Sequence, residues 1–190
     1  MVNWEQLEEY IQHCRCCPLC TTRNRPVMGR GDHHARIMFI AEAPGAMEDK
    51  AGIPFVGPAG KVLDQLLQDC GLSRSEIYIT NMIKCHPPGN RDPEENEKDK
   101  CFPYLRCETA LLRPKIIVCL GRVAAQRLID PGFRITRQHG CWIERKGVYM
   151  TAVYHPSALL RDPGKMEGTR QDFHKIVQKR NELEQCPVDE

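Results

Sequence analysis

No stretch of this 190-residue chain is apolar for the roughly 18–20 residues that a bilayer-spanning helix needs. The first residues, MVNWEQLEEYIQ, lack both a basic head and an apolar stretch, so they do not read as an export signal. An excess of one charge is missing too. The net charge is +2 at pH 7, which by itself selects no partner. No internal repeat or low-complexity tract is visible. These absences leave one soluble domain spanning 1–190, with no membrane partner and a cytoplasmic location, as the expectation. The hydrophobic fraction of 41% and the charged fraction of 27% suit such a domain.

Cysteine, by contrast, is abundant and odd in number, at eleven. Without an export signal a disulfide framework is not expected, and metal or cluster ligation is the sharper reading. Some of the eleven must be bystanders. Cys70, Cys119 and Cys141 sit in apolar surroundings and are expected in the core, with Cys107 as a further candidate; Cys186 belongs to a polar tail at 186–190. Charge is uneven along the chain. Residues 113–147 hold eight basic and two acidic side chains, and 161–180 hold six and three. The downstream half is therefore the better candidate to face phosphates, although a solvated surface explains the charge equally well.

Periodicity predicts an amphipathic helix over 3–13 and a buried strand at Arg36–Ala41. A helix follows at Val62–Leu72, stopped near Gly71, and a second strand at Ile77–Met82. Glu94–Leu112 reads as a helix broken at Pro103. A third strand at Lys115–Leu120 leads into a helix at Gly121–Ile129. A fourth strand, Val148–Val153, precedes a last helix near 168–184. Apolar strands alternating with helices imply an α/β class: three layers, α/β/α, around a mainly parallel four-stranded sheet. In such folds ligands sit at the carboxyl ends of the strands. The unusual loops, 42–58, 81–92 and 154–162, all follow strands.

The first loop carries glycines at 45, 52, 57 and 60, which permit close backbone approach. Phe55, held between Pro54 and small residues, suits stacking on a planar ring; capping the core is the plain alternative. Asn81 ends the second strand and either caps a turn or offers one donor and one acceptor. The third loop, Tyr154-His155-Pro156-Ser157-Ala158-Leu159-Leu160-Arg161, sets leucines expected to be exposed beside an arginine. That arrangement fits a wedge into stacked bases with Arg161 on a phosphate.

The fragment E-A-P-G-x-x-E-D-x-x-G-x-P-F-V-G-x-A-G from Glu42, with H-P-S-x-L-L-R from His155, resembles the uracil-DNA glycosylase superfamily. More narrowly it resembles family 4, the prokaryotic iron–sulfur branch. K-C-H-P-P-G-N-R at 84–91 and P-K-I-I-V-C-L-G at 114–121 belong to the same likeness, which runs from the first cysteines to about residue 176.

The resemblance implies hydrolysis of the glycosidic bond of uracil in DNA and a structural [4Fe–4S] cluster. The family's C-x-x-C-P-L-x-x-x-R maps the early ligand pair to Cys14 and Cys17, ahead of Pro18-Leu19 and Arg23, and the later pair to Cys85 and Cys101. Cys17 and Cys20 form a second C-x-x-C in the same stretch, and zinc is the rival metal for four thiolates. It further implies that Phe55 stacks on the flipped uracil. Asn81 reads its O4 and N3–H, a pattern that cytosine reverses. His155 faces O2, Glu42 and the Ala43 backbone line the pocket, and Glu48 crowds C5 against a thymine methyl. Glu42 is the candidate to position water. Asn90, Arg91, Ser157, Leu159, Leu160 and Arg161 are the expected DNA contacts. Uracil-containing DNA, single- or double-stranded, is thus the implied partner, for a monomer in the cytoplasm near the nucleoid.

Ala43 stands where the best-known branch of the superfamily carries a water-positioning Asp; family 4 also lacks that Asp, so the departure agrees with the narrower resemblance. None of the residues singled out is lysine, which argues against Schiff-base lyase chemistry. Three rivals remain. A covalent uracil-DNA-trapping relative would carry a basic, histidine-containing insertion after the second strand, where this chain has Pro87-Pro-Gly-Asn-Arg. A non-catalytic iron–sulfur DNA-binding domain has no reason to combine Phe55, Asn81 and His155. A zinc nucleotide hydrolase needs more than Glu48-Asp49 to hold a catalytic metal.

Overall fold

The computed structural model describes residues 2–185; the tail at 186–190, with Cys186, lies outside them. Helix α1 (Trp4–Gln12) opens with a capping box between Asn3 and Gln6 and buries Leu7 and Ile11. The edge strand β1 (Arg30–Gly31) precedes β2 (Ile37–Ala41), α2 (Ala46–Ala51), α3 (Pro58–Asp69) and β3 (Ile77–Asn81). Then come α4 (Glu95–Leu112), β4 (Ile116–Leu120), α5 (Arg122–Leu128), α6 (Ile135–Gln138), β5 (Ile143–Arg145), β6 (Val148–Val153), α7 (Pro156–Arg161) and α8 (Met166–Gln185).

Among the described residues the sheet has six strands, not four, in the order β1-β3-β2-β4-β6-β5. The four central strands are the expected ones and run parallel. The two additions, β1 and β5, pair antiparallel at the edges. They are two and three residues long and mostly exposed, so neither leaves an apolar run in the sequence.

Successive residues of each central strand point to opposite faces, which builds the three layers. Ile37, Phe39, Ile77, Ile79, Ile116 and Val118 pack under Leu63, Leu66 and Leu67 of α3 and Phe173 and Ile176 of α8. Met38, Ile40, Tyr78, Ile117 and Cys119 meet Leu105 and Leu112 of α4 and Ala124 and Ala125 of α5.

Helix α4 runs unbroken through Pro103, against expectation. Proline removes one N–H and frees the carbonyl four residues back. Both Pro103 and Asp99 are exposed, so the break in the hydrogen-bond ladder falls on the solvent side while the opposite face stays packed. That packed face is Glu97, Cys101, Leu105, Glu108 and Leu112.

Candidate active site

The carboxyl ends of β2, β3, β4 and β6 open into a cleft of about 750 Å³. Glu42, Asn81, Gly121 and His155, at or just past those four ends, all line it. Ala43, Glu48, Phe55, Asn90, Arg91, Ser157, Leu160 and Arg161 line it as well. Eleven of the twelve base-pocket and DNA-facing residues expected from sequence therefore meet in one place. The twelfth, Leu159, is corrected. It is 1% exposed and packs in the core, whereas Leu160 is 51% exposed. Neighbouring side chains on a helix project about 100° apart, and on α7 that turn is enough to send one of the pair into the core and the other to solvent.

His155 is the N-cap of α7. Its Nδ1 accepts the Ser157 main-chain N–H at 3.1 Å and stands 2.8 Å from Ser157 Oγ. A backbone N–H can only donate, so Nδ1 carries no proton and the neutral ring holds its proton on Nε2. Burial, reinforced by the Arg161 charge and opposed by Glu48, lowers the imidazole to about 4. His155 is thus a neutral donor across the physiological range. Gly121 makes room for it: its φ is +94°, and a Cβ there would sit 3.0 Å from His155 Cβ.

Glu42 follows β2 and is half-buried. Burial raises its carboxyl to about 6; Asp92 adds to the rise, and Lys98 and Arg122 oppose it. Its main-chain carbonyl accepts the N–H of Ile83 at 3.2 Å, which zips the exit of β2 to that of β3.

Phe55 is buried, with its ring 5.8 Å from that of His155. Its φ is 55°, a left-handed conformation that a non-glycine residue adopts only when its surroundings impose it. Two contacts do so. Arg74 Nη2 donates to the Phe55 carbonyl at 2.7 Å, and Gly60 packs so closely that an added Cβ would lie 1.8 Å from that oxygen. Glu48 folds back across the loop, and its Oε1 accepts the Gly57 N–H at 2.9 Å. Arg91 is held in a fork by the buried Glu97, at 2.6 and 2.8 Å, so its charge is largely answered within the protein.

Behind Ala43 lies a patch containing Cys17, Leu19, Ile83, Cys85, Cys101 and Tyr104. Cys17, Cys85 and Cys101 share that patch, and Cys14 is joined to it through Arg23. Arg23 Nη1 donates to Cys85 Sγ at 3.0 Å while its Nη2 reaches the Cys14 carbonyl at 2.8 Å. The Lys84 N–H donates to Cys101 Sγ at 3.2 Å. Burial pushes Cys85 up to about 11 and Cys101 up to about 12. Among the described residues, no group of three or more His, Cys, Asp or Glu is arranged to hold a single metal ion. Cys119 is in the core as expected, but Cys70 and Cys107 are half-buried and Cys141 is exposed.

Residues that sequence reading passed over are Arg74, Glu97, Lys84 and Glu108, all partners rather than pocket walls. His86 is another: its Nδ1 lies 2.9 Å from the Pro44 carbonyl and joins two of the cleft loops. Charged residues scattered through helices and loops leave no pattern that marks them as paired.

The protein is 45% identical to the type-4 uracil-DNA glycosylase of Archaeoglobus fulgidus over 93% of this chain and 92% of that one. It is 40% identical to that of Sulfurisphaera tokodaii, over 93% and 84%. For that of Thermotoga maritima the figure is again 40%, over 83% of each chain. The profile of the Uracil DNA glycosylase superfamily matches residues 28–180, a span that includes every strand and every cleft residue described above. The chain belongs to that superfamily.

Proposed function

We propose that this protein removes uracil from DNA by hydrolysing its glycosidic bond, leaving an abasic site as the first step of base-excision repair. The observation that carries this reading is the neutral Nε2–H tautomer of His155, fixed by Ser157, in one cleft with Phe55 and Asn81. A uracil turned out of its stack would lie against Phe55, with its O4 and N3–H toward the Asn81 amide. Glu48, on the same wall, would leave no room for a C5 methyl. As the bond to the sugar breaks, charge builds on uracil O2, and a donor aimed there stabilises it by about 3 kcal/mol. Glu42, ionised above about pH 6, accepts a proton from the water that adds to the sugar. Leu160 and Arg161 at the lip of the cleft suit insertion into the base stack and a phosphate contact on single- or double-stranded DNA. One copy holds a whole site, so a monomer suffices.

The thiol group behind Ala43 fits a [4Fe–4S] cluster held by Cys14, Cys17, Cys85 and Cys101. All-sulfur donors, a guanidinium on Cys85 and an N–H on Cys101 suit thiolates that burial otherwise keeps protonated. Four thiolates spread over the corners of a cluster need not close on one ion as a zinc site requires. When bound, the cluster cross-links the chain and takes no part in the hydrolysis.

The test is a fluorescent oligonucleotide bearing one uracil, incubated with protein and then treated with alkali. Cleavage only after alkali is expected. Cleavage without alkali would mean lyase chemistry, and none in either lane, from iron-loaded protein, would mean binding or covalent trapping instead.

A further inference from the structure

Beneath the cleft lies a charged pair that the hydrolysis does not use. Lys84 is 1% exposed and Glu108 0%. Lys84 Nζ donates to Glu108 Oε2 at 2.6 Å, to Thr80 Oγ1 at 2.7 Å and to the Asn81 carbonyl at 2.8 Å. An ammonium has three protons, and all three are used. Glu108 in turn accepts from the Gly29 N–H at 3.1 Å, Thr80 Oγ1 at 3.0 Å and Tyr78 Oη at 3.3 Å. Burying two charges costs several kcal/mol each, and apolar replacement of such pairs is often neutral for stability. Stability is therefore a poor reason for this pair. Its placement supplies a better one, because every strand residue that it grips lies in the last four of β3, ending on Asn81.

We propose that Lys84 and Glu108 are positioning residues for base recognition. They lock the Asn81 main chain, and with it the direction of its amide, against the flipped base. The lock extends backwards. The Lys84 N–H donates to Cys101 Sγ, its carbonyl accepts from Val27 at 2.7 Å, and Cys85 is the next residue. The thiol site and the base-reading residue are thus joined through one buried residue, by its main chain on one side and its side chain on the other. The proposal rests on the reading of the cleft as a uracil site, and wild-type excision of uracil is the control that tests that reading separately.

The experiment is a double-mutant cycle. The variant Lys84→Met/Glu108→Leu removes both charges together, and Asn81→Ala removes the amide. Each, and the combination, is assayed for kcat and KM on uracil DNA, inhibition by free uracil, thermal melting and iron content. The paired variant should melt close to wild type and keep its iron, yet bind free uracil about tenfold more weakly. Adding Asn81→Ala to it should cost little more. Independent, multiplying effects, or unweakened uracil binding, would overturn the proposal. Loss of iron from the paired variant would overturn it too, by assigning the pair to the thiol site. Should that variant not fold, Thr80→Val takes its place in the same cycle, with an expected loss of a few fold. A multiplying effect would again decide against the proposal.

Discussion

At the scale of the residue, two titrating groups in the cleft are pushed in opposite directions. Burial raises Glu42 to about 6 and lowers His155 to about 4. A carboxylate acting as base is lost as pH falls through its own value, so kcat/KM should fall below about pH 6. His155 stays neutral over that range and adds no inflection there. A pH profile in which Glu42→Gln lowers the rate and also abolishes the limb near 6 is expected; persistence of the limb would remove Glu42 from the role of base. His155→Ala should cut excision by about 10²–10³-fold while melting near the wild-type temperature, since its ring packs at the cleft and not in the core. Nearly intact activity would remove the leaving-group role. Glu42, Asn81 and His155 were readable because each stands at or just past the end of an apolar strand, where few other demands select a polar side chain. Lys84 and Glu108 were not, since the partner that makes each tolerable lies 24 positions away in sequence.

At the scale of the element, α7 and α4 show what periodicity can and cannot reveal. Leucines at 159 and 160 look alike in sequence, but α7 sends one into the core and the other to the cleft lip. Leu159→Ala should therefore cost about 2–5 kcal/mol in a urea melt, while Leu160→Ala stays within about 0.5 kcal/mol. Activity should divide the other way. Leu160→Ala should slow excision from duplex more than from single strands, because only the duplex needs a wedge to open it. Equal slowing on both substrates would deny Leu160 that function. Helix α4 hid its inward face because two of the five residues there are glutamates and one is a cysteine. Each is buried with a particular partner: Glu97 with Arg91, Cys101 with the Lys84 N–H, Glu108 with Lys84. Apolar periodicity weakens where a helix is used to hold other residues, and the two short edge strands were hidden for the related reason that they bury little.

At the scale of the whole molecule, the parallel core supports the cleft, and the N-terminal segment is fastened on from outside. Helix α1 packs Leu7 and Ile11 near Cys107 and Leu111 of α4, and Arg23 bridges the Cys14 carbonyl to Cys85 Sγ. A cluster held by Cys14, Cys17, Cys85 and Cys101 would close a loop of some 90 residues over the same path, and loop closure of that length removes a few kcal/mol of freedom from the unfolded chain. Two independent fastenings mean that losing one need not release the segment. Cys101→Ala should therefore bleach the brown colour and lower the melting temperature or soluble yield, yet leave the sheet folded by circular dichroism. Its excision should fall more than the lost stability explains, because Cys101 also accepts the Lys84 N–H that steadies the strand end at Asn81. A Cys101→Ala protein that retained full colour and iron would strike Cys101 from the ligands. One that lost its iron but excised uracil at the wild-type rate would show instead that the thiol site and the base pocket are independent.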